Sequence, residues 1–297
     1  MIDIVMRVES MPTSGGDALA SERLMTAGGG YNAMSSASRQ GMHACYAGRL
    51  GVGPFADVAR AALERDRIEV PIAGNEDLDN GFCVVLVEAS GQRTFITSPG
   101  AEATLRPSDL ASLEVRPGDV VLVSGYNVMY PGNAEMILEW IESLNSGVIV
   151  AFDPSNRVAD IAPDYLSRMS GRTDWLVCNE VEASLLSATT EVADAAQFLA
   201  DNVCRVGAVV RHGETGCTLC LTGGVPTHIA GFTTVVVDTN GAGDTHSGVF
   251  FAELSRGLTP HDAARRANAA AAVAIGDFGP ATCPTHDVLS KWIDSRS

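Results

Sequence analysis

The order of elements in this 297-residue chain predicts an α/β fold, a mostly parallel sheet with helices on both faces. Three observations predict it. From about residue 105 onward, short β-branched runs alternate with segments of helical pattern, as repeated β-α units do. Two other segments, 4–27 and about 68–98, are strand-like with no helix between successive runs, which reads as a small antiparallel sheet projecting as a lid. No composition shift, repeat or low-complexity tract marks a linker, so a single domain over 1–297 is expected.

The elements follow in order. Residues 27–41, AGGGYNAMSSASRQG, place three glycines ahead of an alanine- and serine-rich helix. EASGQR marks a tight hairpin at Gly91 and Gln92. VVLVSG (120–125) precedes a helix around 132–146, and GVIVAFDP (147–154) precedes another around 160–170. WLVCNE (175–180) leads to helical sequence over 181–202, and GAVVRHG (207–213) leads to a hairpin-like TLCLTGG. The run Val235 to Val237 reads as a strand that hands over to a helix at 244–256. TPHDAARRANAAAAVAIG (259–276) reads as a long helix capped by Thr259 with Pro260 at its first position. In such sheets ligands sit beyond the carboxyl ends of the strands.

Composition excludes several classes. The formal charge of −16 argues against nucleic acid as a partner, because phosphodiester chains need a basic surface. No apolar run is long enough for a membrane span, and MIDIVMRVES does not read as a secretory signal. Seven dispersed cysteines, mostly in apolar runs, suit reduced thiols in a cytoplasmic protein. Cys217 and Cys220 have zinc-like spacing but lie on one strand, where i and i+3 face opposite sides. The only lysine is Lys291, and no phosphate-binding GxxxxGK[ST] loop occurs.

Three constellations carry chemistry. Asp238-Thr239-Asn240-Gly241-Ala242-Gly243-Asp244 stands at a strand-to-helix junction, where free backbone N–H groups and the helix dipole attract an anion. Asp244 there is either a base for an attacking hydroxyl or a helix-start carboxylate complementing the dipole. Gly28, Gly29 and Gly30 allow close approach of a polyol that Asn32 can both donate to and accept from, or form a flexible loop. Asn179 through Glu182, at a strand's carboxyl end, suit hydrated Mg²⁺ or an acidic helix start equally well.

In this order, the motifs resemble those of the ribokinase-like (PfkB) carbohydrate kinases, almost end to end. The glycine motif is similar to Ala27 through Asn32, followed by Gly41 and Gly51; the Asn-x-x-Glu motif to Asn179 through Glu182; the Asp-Thr-x-Gly-Ala-Gly-Asp signature to Asp238 through Asp244. The resemblance implies a three-layer αβα core of nine or so strands (a family trait), with a β lid. It also implies transfer of the γ-phosphoryl group of MgATP to a hydroxymethyl group of a sugar. It makes Asp244 the base and Gly241, Ala242 and Gly243 the anion hole. Asp3, Gly28 to Gly30 and Asn32 would bind the substrate. Asn179, Arg211, Gly213, Gly216 and Asn268 would lie on the nucleotide side. Glu182 and Asn179 would organise Mg²⁺ through its waters, and Asp238 would help hold a monovalent cation such as K⁺. A homodimer through the lid is expected from its exposed edge or apolar face.

The sequence also departs from the family. Val52-Gly53 replaces paired aspartates, Arg211 a threonine and Val249 a smaller residue, and no acidic sugar-binding residue stands near Gly125-Tyr126. A nucleoside kinase of the same fold is the alternative acceptor class, and a catalytically silent sugar-binding regulator the alternative from outside the enzymes. The family's first strand, with a Gly-Asn pair ahead of Asp3, has no counterpart here. A central strand's worth of unpaired backbone would exceed a domain's stability margin, so a natural form is expected to carry about ten further residues before Met1.

Overall fold

The computed structural model describes residues 1–129 and 131–296. The chain opens with β1 (Ile2–Arg7), β2 (Glu22–Ala27), α1 (Gly30–Arg39) and α2 (Pro54–Arg65), followed by β3 (Phe82–Val87) and β4 (Arg93–Ser98). The core half runs α3 (Pro107–Ala111), β5 (Val120–Ser124), α4 (Gly125–Val128), α5 (Pro131–Ser143), β6 (Ile149–Asp153), α6 (Pro163–Arg172) and β7 (Trp175–Asn179). It continues through α7 (Glu180–Ser187), α8 (Val192–Asn202), β8 (Gly207–Arg211), β9 (Gly216–Leu221), β10 (Thr227–Ala230), α9 (Ala242–Ser255), α10 (Pro260–Ala274) and α11 (His286–Asp294).

The large sheet has the order β10-β9-β8-β7-β6-β5. Strands β5 to β8 are parallel, and β9 and β10 join antiparallel. Its residues alternate strictly between two cores. Val150, Phe152, Leu176, Cys178, Ala208 and Val210 face α5, α7 and α8, whereas Ala151, Trp175, Val177 and Val209 face α9, α10 and α11. Both faces are covered, which a parallel sheet requires. Cys220 enters the first core and Cys217 the second, as their spacing on one strand predicts, and every cysteine is free.

Several sequence expectations need correction. The lid is a four-stranded sheet of order β2-β1-β3-β4 whose central pair, β1 and β3, is parallel, so it is mixed and not antiparallel. It begins at Ile2, and residues 68–81 are outside it: Ile68 is buried and Glu69 makes only an isolated bridge to Cys45. The large sheet has six strands among the described residues, against the nine or so expected. The helices expected around 181–202 do form, as α7 and α8, and they part where Ala188 turns left-handed at φ 57°. Val235 to Val237 form no strand. Their side chains are exposed, and the backbone is tied by Val237 N and Asp238 N to the carbonyl of Ile275 at the end of α10.

Capping explains where other helices start. Thr259 accepts from Asp262 N and Pro260 opens α10 as predicted. At α2 the cap comes from elsewhere. Asp79 accepts from Phe55 N at 3.1 Å and from Ala56 N at 2.7 Å. Gly53, at φ 134°, leaves room for that carboxylate, which a Cβ would approach to 2.6 Å.

Candidate active site

The junction between Asp238 and α9 is a glycine turn that opens a helix. Gly241 is at φ 73°, and a Cβ there would lie 2.1 Å from the carbonyl oxygen of Pro280, so the turn admits only glycine. Helix α9 begins at Ala242, and its bond from Thr245 N reaches Gly241 O at 2.8 Å. The amides just before it have no intrahelical acceptor and add to the positive end of the dipole. Arg211, at the end of β8, braces this turn from beneath. Its Nη1 donates to Gly243 O at 2.9 Å and to Ser247 Oγ at 2.8 Å, and its Nη2 to Asp153 Oδ2 at 3.3 Å.

Helix α1 brings the glycine motif to the same place. Asn32 Nδ2 donates to Asp244 Oδ2 at 2.9 Å. Such closeness needs α1 and α9 to pack tightly, and Gly248 permits it, since a Cβ there would lie 2.3 Å from Ala33 O. Asn32 is 3 % exposed, and its Oδ1 is buried without a partner. A buried unpaired acceptor costs on the order of 1–3 kcal/mol, which a substrate hydroxyl would relieve. Asp3, on the inner face of β1, is buried against Gly28, where a Cβ would lie 2.0 Å from its Oδ2.

Three carboxyls of this site, Asp3, Glu182 and Asp244, are held high. Burial pushes Asp244 up to about 7; the charges of Asp153 and Asp3 push the same way, against the pull of Asn32 and Arg211. Burial likewise raises Asp3 to about 6. Glu182 is raised by burial and then by the charge of Asp153. Asn179 and Glu182 form a reciprocal capping box: Asn179 Oδ1 accepts from Glu182 N at 2.9 Å, and Glu182 Oε2 from Asn179 N at 2.8 Å. The helix-start reading of this motif therefore describes its geometry, while the raised Glu182 beside Asp153 leaves negative charge that a cation would relieve.

The expected nucleotide side lies at β8 to β10. Gly213 at φ 62° and Gly216 at φ 109° shape an exposed turn, closed by His212 N to Gly216 O at 2.9 Å. Asn268 is buried, and its Nδ2 donates to Ile229 O at 3.0 Å and Ala230 O at 3.2 Å, fastening β10 to α10. Asp238 is paired with Arg93 of the lid, Nη2 to Oδ1 at 2.9 Å.

Two residues of the site escaped the sequence reading. Asp153 ends β6 in FDP, and a carboxylate at a strand's carboxyl end was the available signal. Arg93 had none, since its partner lies 145 positions away.

Comparison with known proteins agrees with this geometry. The model of the family described as pfkB family carbohydrate kinase matches residues 1–287. The chain is 30 % identical to the uncharacterized sugar kinase YegV of Escherichia coli, over 97 % of this chain and 90 % of that protein. It is 26 % identical to an ATP-dependent ribose-1-phosphate kinase of Halopiger xanaduensis, over 99 % and 95 %. The ribokinase structure from Giardia lamblia superposes with a TM-score of 0.85 at 22 % identity, covering 98 % of this chain and 96 % of that one, a likeness of fold. With a family match over nearly its whole length, the chain belongs to the pfkB family of carbohydrate kinases.

Proposed function

We propose that this kinase transfers the γ-phosphoryl group of ATP to a hydroxymethyl group of a sugar or sugar derivative, with Asp244 as general base. The observation that carries the reading is the pairing of Asp244 with Asn32 beside the Gly241–Gly243 turn that opens α9. A base poised near 7 accepts a proton at neutral pH without being permanently charged or neutral. The amides and the α9 dipole would stabilise the negative charge that builds up on a transferring phosphoryl group. Asn32 Oδ1, unpaired and buried, is free to accept from the acceptor's hydroxyl.

Mg²⁺ fits the excess charge at Glu182 and Asp153, which would hold it through its waters. No cluster of three or more His, Cys, Asp or Glu able to hold a bare ion occurs among the described residues, in keeping with a metal bound partly by phosphate oxygens. When bound, it would neutralise charge on the β- and γ-phosphates.

The same reading gives the lid a partner. Its outer face carries Met25, Ile4, Val84 and Ile96 in one cross-strand row, and Met6 and Leu86 in the next. Met25 is 49 % and Ile96 59 % exposed, an apolar face suited to a second copy of the chain. Its buried free thiols suit a reducing cytoplasm, and no helix is long and apolar enough to cross a membrane among the described residues.

The test is ADP release in the presence of MgATP across a panel of sugars, sugar phosphates and nucleosides. Acceptor-dependent release with a sugar supports the proposal. Release with nucleosides alone would move the assignment to a nucleoside kinase, and none with any acceptor would favour a binding protein.

A further inference from the structure

The lid and the anion loop are joined through one guanidinium. Arg93 opens β4 on the lid's inner face, in register with Val87. Its Nη2 donates to Asp238 Oδ1 at 2.9 Å and to Thr239 Oγ1 at 2.7 Å. The pair is sheltered, with side chains 20 % and 4 % exposed. Both oxygens of Asp238 have further partners: Asn240 N reaches Oδ1 at 2.9 Å and Gly279 N reaches Oδ2 at 3.2 Å. One carboxylate thus gathers the lid, the anion loop and the turn after α10.

A monovalent cation, the partner expected at Asp238, does not fit this arrangement. The single negative charge is already matched, and an added ion would sit against a guanidinium where water screens little. An arginine also does what a spherical ion cannot. Its planar fork is permanently charged and bridges a carboxylate and a hydroxyl from a fixed direction. Because it belongs to β4, the charge at the loop depends on the position of the lid.

Resting on the kinase reading above, we propose that Arg93 is a positioning residue that takes the place of a monovalent cation. It fixes the Asp238–Asp244 loop when the lid is down, so that nucleotide binding needs no potassium. Lifting β4 strips a buried carboxylate of its partner and loosens the turn that presents the amides.

Calorimetric titration of the whole chain with magnesium and a non-hydrolysable ATP analogue tests this. It is run in tetramethylammonium chloride and again with about 100 mM KCl in its place, at constant ionic strength. Wild-type affinity is expected to agree between the salts within about twofold. Arg93→Met is expected to lose at least about tenfold without potassium and to recover most of it in KCl, since a small cation can then reach Asp238. Arg93→Lys keeps the charge without the fork and is expected to fall between them, indifferent to potassium.

A merely structural role would weaken Arg93→Met equally in both salts, and that result overturns the proposal. A wild type that binds nucleotide only with potassium also overturns it, leaving the kinase reading intact. No nucleotide binding by wild type in either salt overturns both. Should Arg93→Met fail to fold, the other two proteins still decide, because potassium dependence in either contradicts the proposal.

Discussion

Asn32 and Asp244, 212 positions apart, share a hydrogen bond of 2.9 Å that joins the first helix of the chain to α9, the helix that follows the Gly241–Gly243 turn. The donor stabilises the ionised carboxylate and so pulls its pKa down against burial. Removing it must move the pKa up. Asn32→Ala is therefore expected to shift the acidic limb of kcat/KM to higher pH than the wild type's limb near 7, and to raise the acceptor's KM. An unmoved limb in the pH–rate profile would show that the bond does not tune Asp244.

The same carboxyls make stability depend on pH. Asp3 at about 6 and Asp244 at about 7 lie above their unfolded value of 3.8, so between those limits the folded state binds more protons than the unfolded. Their contribution is full below the unfolded value and is lost as pH rises through the folded ones. Without ligands, the melting temperature is expected to fall between about pH 5 and about pH 8. Asp244→Asn, which cannot titrate, is expected to flatten part of that slope in a thermal melt.

At the start of α7, Asn179→Ala removes one half of the capping box. A lost cap costs typically about 1 kcal/mol, read as a lower urea midpoint at unchanged slope. Glu182→Gln keeps a capping acceptor but removes charge, so it is expected to raise the magnesium concentration needed for activity more than it lowers stability. Equal effects of the two variants on stability and on magnesium dependence would reduce Glu182 to a capping residue.

The parts of this molecule legible in sequence are those whose chemistry is local. Gly241 is fixed by its own turn, Thr259 and Pro260 by their own cap, and the core strands by runs flanked with turn residues. Strand direction is not local. A period of two says nothing about whether β1 meets β3 parallel or antiparallel, and the lid was misread there. Val235 to Val237 have strand residues but no strand beside them, and β propensity without a partner gives only extended chain. Arg93 and Asp238 meet only because the lid folds over the loop. The Asn179 motif is open in sequence for a real reason: the same two side chains cap a helix, and one of them, Glu182, also feels the charge of Asp153.

The outer face of the lid supplies a further prediction. Ile96→Glu places a charge in the apolar row formed with Val84, Ile4 and Met25. Ile96 is already exposed in the single chain, so its effect on folding is expected to stay within about 0.5 kcal/mol. Sedimentation velocity is expected to show a dimer for wild type and a monomer for the variant. A monomeric wild type at high concentration would refute the dimer.

The most direct measurement is the turnover of Asp244→Asn with the acceptor that the panel identifies. The substitution keeps the size of the side chain at the start of α9 and removes its ability to take a proton. Turnover is expected to fall by roughly two to four orders of magnitude, with ATP affinity changed little and the thermal midpoint near neutral pH not lowered, since asparagine carries no buried charge. A variant retaining a tenth or more of the wild-type rate would contradict the account and leave Asp244 as a carboxylate that only complements the helix dipole.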